Sequence, residues 1–387
     1  MAETDALRAS GSSEIERHSY DVVVIGGAGG AGLRAVIEAR ERGLKVAVIT
    51  KSLFGKAHTV MAEGGCAAAM GNANPKDNWQ VHFKDTMRGG KFLNNWRMAE
   101  LHAKEAPPDR VWELETYGAL FDRTKDGRIS QRNFGGHTYP RLAHVGDRTG
   151  LEIIRTLQQK IVSLQQEDKE EFGDYDARIR VFHETTITDL IKDGDRIAGA
   201  FGYYRETGKF VLFETPAVVL ATGGIGKSYK VTSNSWEYTG DGHALALRAG
   251  ATLINMEFVQ FHPTGMVWPP SVKGILVTEG VRGDGGVLKN SEGKRFMFDY
   301  IPAVFKGQYA ESIEEADQWL KDNDSARRTR TCSPRDEVAR AINSEVKAER
   351  GTPARRRVPR HRLAATRRGD QAPAAVDVSP VHGARRG

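Results

Sequence analysis

Residues 21–50 read DVVVIGGAGGAGLRAVIEARERGLKVAVIT. Val22 to Ile25 is a short unbroken apolar run, the pattern of a parallel strand buried on both faces. Leu33, Val36 and Ile37 then recur at helical spacing, and Gly43 is placed to end that helix. Val46 to Ile49 repeats the strand pattern. The stretch is a βαβ unit, and its first turn carries Gly-x-Gly-x-x-Gly at Gly27, Gly29 and Gly32, with Ala28, Gly30 and Ala31 between them. Such a turn lets backbone approach a pyrophosphate whose charge rests on the helix N-terminus. The pattern is weak alone; its place between strand and helix points to dinucleotide binding rather than an incidental glycine-rich turn.

A site for NAD calls for Asp or Glu at the end of the second strand, to hold a ribose hydroxyl. That position reads Thr50-Lys51-Ser52, with no acid. Lys51 suits the 2′-phosphate of NADP, so NADP stays open on these residues.

At 387 residues the chain exceeds one ordinary hydrophobic core, and two domains are expected. No stretch approaches the roughly 18 consecutive apolar residues that span a bilayer. The first nineteen residues carry Glu3, Asp5, Glu14 and Glu16 without an apolar run, unlike a signal or transit peptide, which predicts a cytoplasmic protein. Two cysteines, Cys66 and Cys332, exclude a disulfide framework and a zinc site, and no metal is expected. The net charge of +6 resides in one place. Thr352 to Gly387 holds nine arginines and two aspartates, a balance of +7, so the remainder totals −1. The tail lacks the interleaved aromatics of single-strand binders, and no nucleic-acid partner is expected.

Residues 179 to 213 contain short β-rich runs separated by Asp-Gly and Thr-Gly turns, which predict an antiparallel meander. AVVLATGG follows, a buried strand entering a turn at Thr222, Gly223 and Gly224. Earlier, GKAHTVMAEGG sets His58 and Thr59 among small residues that end in Gly64 and Gly65. The fold class is therefore α/β. The expected architecture is a two-dinucleotide-binding-domain flavoprotein, a Rossmann-like FAD domain with a β-meander; the family resemblance that follows implies a partial α+β capping domain beside it.

The motifs GAGGAGLRA, AHTVMAEGG, RNFGGH, ATGGIGK, TGDGHALALRAG, QFHPTG, LVTEGVRGDGG and PRDEVARAI occur in this order between about residues 18 and 351. In this the chain resembles the succinate dehydrogenase/fumarate reductase flavoprotein subunit, actinobacterial succinate dehydrogenase most of all. The resemblance implies FAD as cofactor, bonded covalently through His58, and Asp241 of TGDG as a further FAD contact. It implies hydride transfer from a dicarboxylate, succinate or fumarate, clamped by His262 and Thr278 and closed over by Phe134. It implies Arg335 as the catalytic arginine, with Glu279 and Arg282 as a proton relay, because a free guanidinium is a poor base. Glu279 is also expected to contact substrate. The implied partners are an iron–sulfur subunit and membrane-anchor subunits, which would hold the chain peripherally on the cytoplasmic face of the membrane. Fumarate reductase and L-aspartate oxidase are the alternative activities, and a non-enzymatic FAD-binding remnant is the alternative of another class.

The family continues beyond this region with a second substrate histidine, a second substrate arginine and further FAD-binding segments. Here the sequence after residue 351 is arginine-rich and without apolar periodicity, too poor in apolar residues to offset its ordering entropy. The expected organisation is a disordered N-terminus at 1–19, an incomplete FAD domain at 20–255, a partial capping domain at 256–351 and a disordered basic tail at 352–387. Such a shortened chain is expected to be inactive. Three smaller irregularities stand out, namely a glycine more than expected at Gly26-Gly27, the doubled Pro107-Pro108, and RTRTCSP ahead of Arg335. Insertions or deletions in the reading frame would produce all of them.

Overall fold

In the computed structural model, Val22–Ile25 lies second in a four-stranded parallel sheet, between Val218–Leu220 and Val46–Ile49, with Ile179–Phe182 beyond. The structure describes residues 15–267, 269–301, 303–319, 321–322, 327–351 and 377–379. Register aligns Leu220, Ile25, Ile49 and Phe182, so the four strands end level at their carboxyl edge. Side chains alternate across this sheet. Val23, Ile25, Ala47 and Ile49 enter one core cluster with Ile187, Ala200, Val211 and Phe213 of a second sheet. Val24, Val46 and Val48, fully buried, face the helix Gly30–Glu41, which turns Leu33, Val36 and Ile37 inward. The helix Thr149–Phe172 buries Ile154, Leu157, Ile161 and Leu164, and its buried Asp168 pairs with Arg40 at 2.7 Å.

The second sheet is the expected meander, Thr185–Asp193, Arg196–Tyr204 and Phe210–Glu214, with two differences. Ile179–Phe182, which the sequence reading joins to the meander, belongs to the parallel sheet; Glu184, at φ 47°, breaks the chain between them. The other difference corrects the reading of 1–19 as disordered. Residues 1–14 lie outside the described residues, but Glu16–Ser19 pairs in parallel with Phe210–Glu214. His18 is held there between the rings of Phe182 and Phe213, at 4.9 and 5.6 Å.

Two compact units result. The first comprises 15–61, Ile153–Ser228 and Ser235–Met256; the second comprises Ala62–Glu152, Tyr229–Asn234 and the described residues from Glu257 onward. The division after Met256 stands one residue from the boundary read in the sequence, but 62–152 falls in the second unit. That unit has a three-stranded antiparallel sheet, Cys66–Ala67, Leu142–Ala143 and Gln131–Arg132, over a core of Ala68, Val111, Phe121 and Ile129. A second core gathers Leu288, Phe296, Met297 and Tyr309 against Val338, Ala341 and Ile342 of the helix Arg335–Lys347. Pro107-Pro108 lies in a π-helical turn, Ala106–Val111, between the helices Trp96–Glu105 and Trp112–Thr116. A π turn accommodates one extra residue without ending the helix. Of the tail expected to be disordered, Asp377–Ser379 is described, paired antiparallel with Val287–Lys289; the rest lies outside the described residues.

Candidate active site

The glycine turn divides its labour. A Cβ on Gly27 would stand 2.4 Å from Val48 Cγ1, and one on Gly32 would stand 2.6 Å from the Gly26 carbonyl oxygen. Both glycines let helix and strand close on each other. At Gly29 a Cβ would meet nothing nearer than 3.6 Å. That position faces a cleft lined by Ala28, Gly29, Gly30, Ala31, Thr50, Lys51, His58, Thr59, Thr222, Gly223 and Asp241. Gly26, which looks supernumerary in sequence, adopts φ 86° and lies against Ala221, where a side chain would clash with backbone. The helix that follows has no acid in its first turn, so its positive end meets no negative charge of its own. Thr59 Oγ1 accepts from the Gly30 N–H at 3.2 Å.

Lys51 does not stand free for a 2′-phosphate. Its ammonium donates to Asp241 Oδ2 at 2.7 Å and to Thr239 Oγ1 at 2.6 Å. Burial pushes the Asp241 carboxyl up, and the hydrogen bonds from Lys51 and Thr239 outweigh it, leaving the group below its usual range. Buried Thr50 pairs its backbone N–H with Phe182, and Ser52 bonds the Lys56 carbonyl, so both shape the loop. Gly223, at φ 75°, lies against the Tyr238 ring.

His58 opens a 3₁₀ turn, His58–Met61, and lines the same cleft. The Ser235 N–H donates to its Nδ1 at 3.2 Å. This requires Nδ1 unprotonated and leaves Nε2 as the ring's other functional nitrogen. The Tyr238 ring packs 4.4 Å away, centroid to centroid. Burial lowers the imidazole pKa and Glu237 opposes the shift, favouring the neutral ring. Gly64 and Gly65, assigned with His58 from sequence, belong to the second unit. There Gly64 lies beneath the Phe134 ring, and Gly65 takes φ 120° against Ala143.

The second unit gathers the residues read as catalytic. Thr278 caps the short helix Glu279–Gly283, its Oγ1 accepting from the Gly280 N–H at 3.2 Å and keeping its own proton for another acceptor. The cap directs Glu279 inward, where it is buried with Arg282. Glu279 Oε2 accepts from Arg335 Nε at 2.7 Å and lies 3.4 Å from Arg282 Nη2, while Oε1 accepts from the Gly135 N–H at 3.1 Å. Glu279 and Arg282 are both buried, so they do not form an ordinary surface pair. Arg282 Nη1 donates to Thr264 Oγ1 at 2.7 Å, while its Nε and Nη2 lack hydrogen-bond partners among the described residues. Burial lowers the Arg282 guanidinium, with Glu279 opposing and Arg335 adding to the shift. His262 is brought down to about 3, by burial first and then by Arg335 and Arg282. It therefore serves as a neutral hydrogen-bonding ring rather than a cation. Its Nδ1 is also buried without a partner.

Four contributors escape the sequence reading. Gln260 Oε1 accepts from Arg335, Thr264 holds Arg282, the Gly135 amide holds Glu279, and Ser235 fixes the His58 tautomer. Gln260 and Thr264 flank His262 in QFHPTG, a signal that was available. The Gly135 and Ser235 backbone amides leave none.

The chain matches the FAD binding domain family over residues 21–386. It is 44% identical to one of the subunits of the fumarate reductase (CoM/CoB) of Methanothermobacter marburgensis, over 88% of this chain and 55% of that protein. It is 40% identical to the succinate dehydrogenase flavoprotein subunit of Coxiella burnetii, over 88% of this chain and 52% of the other. Among solved structures, Mycobacterium smegmatis Sdh1 in complex with UQ1 superposes with a TM-score of 0.71 at 80% identity, covering 88% of this chain and 52% of that one. The chain thus spans about half the length of these relatives. It belongs to the FAD binding domain family and, within it, to the flavoprotein subunits of succinate dehydrogenase and fumarate reductase.

Proposed function

We propose that the chain supplies the flavin-binding and proton-handling residues for FAD-dependent oxidation of succinate to fumarate. The observation that carries this reading is the Arg335–Glu279–Arg282 cluster, in which two guanidiniums share one buried carboxylate. The cluster retains an unmatched positive charge and orphaned N–H groups on Arg282, which suits an anionic substrate. Neutral His262 and the Thr278 hydroxyl proton add hydrogen-bond donors for a carboxylate. Phe134, over Gly64, is the ring assigned to close on it.

The first-unit cleft fits FAD. Gly29 leaves room for backbone to approach a pyrophosphate, the helix end carries no acid in its first turn, and Lys51 is already committed to Asp241, which disfavours NADP. Bound FAD supplies the hydride acceptor. His58 is the residue for covalent attachment, through Nε2, since Nδ1 is engaged by Ser235. Arg335 is the group assigned to take the substrate proton as it passes one of its own to Glu279, whose Oε2 accepts from Arg335 Nε at 2.7 Å. The contacts then continue to Arg282 and to the Thr264 hydroxyl. Burial disfavours the charged form of Arg282, which suits that guanidinium to carry a proton.

The assigned partners are an iron–sulfur subunit that receives the electrons and anchor subunits that place the complex on the cytoplasmic face of the membrane. Among the described residues, no helix is long and apolar enough to cross a membrane. The test is the absorbance of purified protein before and after acid precipitation, together with dye-coupled succinate oxidation. Flavin that stays with the precipitate supports attachment at His58; flavin released entirely favours the non-covalent alternative, an L-aspartate oxidase.

A further inference from the structure

The helix Trp79–Gly89 buries His82 and Asp85 and carries Lys84 and Arg88 four residues apart, on one face. Those two cations, with Arg328, His137, Thr138 and Tyr139, line a cleft of about 500 Å³ in the second unit. No carboxylate is among its described lining residues. Asp85, the partner of Arg88, is saturated. It accepts from Thr138 N and Oγ1 and from Arg88, each at 2.7 Å, and from Arg141 at 3.0 Å. Arg141 is fully buried and also pairs with Asp77 at 2.8 Å, yet its Nε and Nη1 lack hydrogen-bond partners. Arg328 donates to the carbonyls of His137 and Thr138, which are neutral acceptors. Among the described residues it has no ion pair. Four cations, Lys84, Arg88, Arg141 and Arg328, therefore meet two carboxylates, Asp77 and Asp85, an excess of +2. His137 does not alter the count; burial, then Arg141 and His82, bring it down to about 3, and the ring is neutral.

Surface cations normally disperse into water or pair with acids. Here they converge on a concave volume of the size that holds a small ligand. We propose that this cleft binds a small oxyanion, a carboxylate or phosphate group, with Lys84, Arg88 and Arg328 as its charge partners. The site shares no lining residue with the Glu279–Arg335 cluster and does not depend on the function assigned there.

The experiment is isothermal titration of the 387-residue protein with inorganic phosphate and with citrate, at constant ionic strength set with sodium chloride. Saturable binding is expected, and the component that survives Arg335→Gln, which disables the other anion site, belongs to this cleft. Preference between the two probes distinguishes a phosphate from a polycarboxylate ligand. Losing one charge-assisted contact should raise Kd about tenfold, so Lys84→Gln and Arg328→Gln should each show that loss. Arg335→Gln should keep the component assigned to this cleft at the parental Kd, because it alters only the other cationic cluster. Lys84 is exposed, so its variant reads binding even if Arg328→Gln perturbs the loop it supports. Unchanged Kd in Lys84→Gln and Arg328→Gln would overturn the proposal. So would binding lost in Arg335→Gln alone, which would move the anion to the other cluster, or no saturable heat with either probe.

Discussion

Substituting alanine at two glycines of one turn should separate folding from flavin binding. At Gly32 the new methyl would stand 2.6 Å from the Gly26 carbonyl oxygen and 2.7 Å from Gly27 Cα. Both are backbone atoms, so no rotamer change relieves the contact, and the helix must back away from the sheet. Overpacking of this kind costs about 1–3 kcal/mol. At roughly 2–4 °C per kcal/mol for a domain of 150–250 residues, Gly32→Ala should unfold several degrees below the parent, with or without FAD. Gly29→Ala behaves differently. Its φ of −90° and ψ of 166° suit any residue, and its methyl has no neighbour within 3.5 Å. Stability of the flavin-free protein should fall by less than about 1 kcal/mol, the scale of a helix N-cap substitution. The methyl points into the cleft, however, and should weaken FAD binding at least tenfold. The assay is thermal unfolding with and without added FAD, beside quenching of FAD fluorescence in titration. FAD binding at parental affinity in Gly29→Ala would refute the placement of the pyrophosphate. Parental stability in Gly32→Ala would refute the packing argument.

Three further outcomes are expected. His262→Gln should retain dicarboxylate binding far better than His262→Ala, because the ring acts as a neutral hydrogen-bonding group; malonate titration of both variants checks this. Arg141→Met should destabilise the second unit by about 3–5 kcal/mol, since it strands the buried Asp77 and takes one partner from Asp85; urea unfolding followed by circular dichroism measures the loss. Glu345, held down to about 2 by Arg350 first, against burial, and then by Tyr300 and Asn290, contributes stability that is present above its unfolded value near 4.5 and is lost as pH falls toward 2. Denaturant midpoints across pH 2–7 should show Glu345→Gln well below the parent at pH 6 and level with it near pH 2.

What was legible in the sequence was local. The βαβ unit announces itself because its strands are unbroken apolar runs and its glycines stand at fixed spacing, so Gly27, Gly29 and Gly32 fall where expected. Glu16–Ser19 could not be read that way. Glu-Arg-His-Ser has no apolar alternation, and its strand partner is Phe210–Glu214, far along the chain. The candidate sites show the same limit. His58, Glu279, Arg282 and Arg335 were identified by motif, but the groups that fix them are distant. Ser235 lies 177 positions from His58, and Gly135 lies 144 from Glu279. Backbone amides carry no residue signature, so only the fold reveals which one is presented. Motif reading also treated Gly26 as surplus, whereas packing against Ala221 employs it.

Two buried arginines with orphaned N–H groups, Arg141 and Arg282, differ in the charge around them. Arg141 meets two carboxylates, Asp77 and Asp85, and Arg88 shares the second, so those four groups balance. Such a network holds loop to helix, and the excess charge beside it comes from Lys84 and Arg328. Arg282 and Arg335 share Glu279 alone, and His262 beside them is neutral, which leaves one positive charge at a site closed to bulk water at Arg282. Removing a charge from water costs several kcal/mol unless a partner offsets it. A chain selected only for stability would gain by replacing Arg282 with an apolar residue of similar volume. The charge is tolerable if an anion completes it for part of the working cycle. The dicarboxylate assignment rests on that imbalance, and the orphaned nitrogens of Arg282 and His262 mark where the missing acceptors belong.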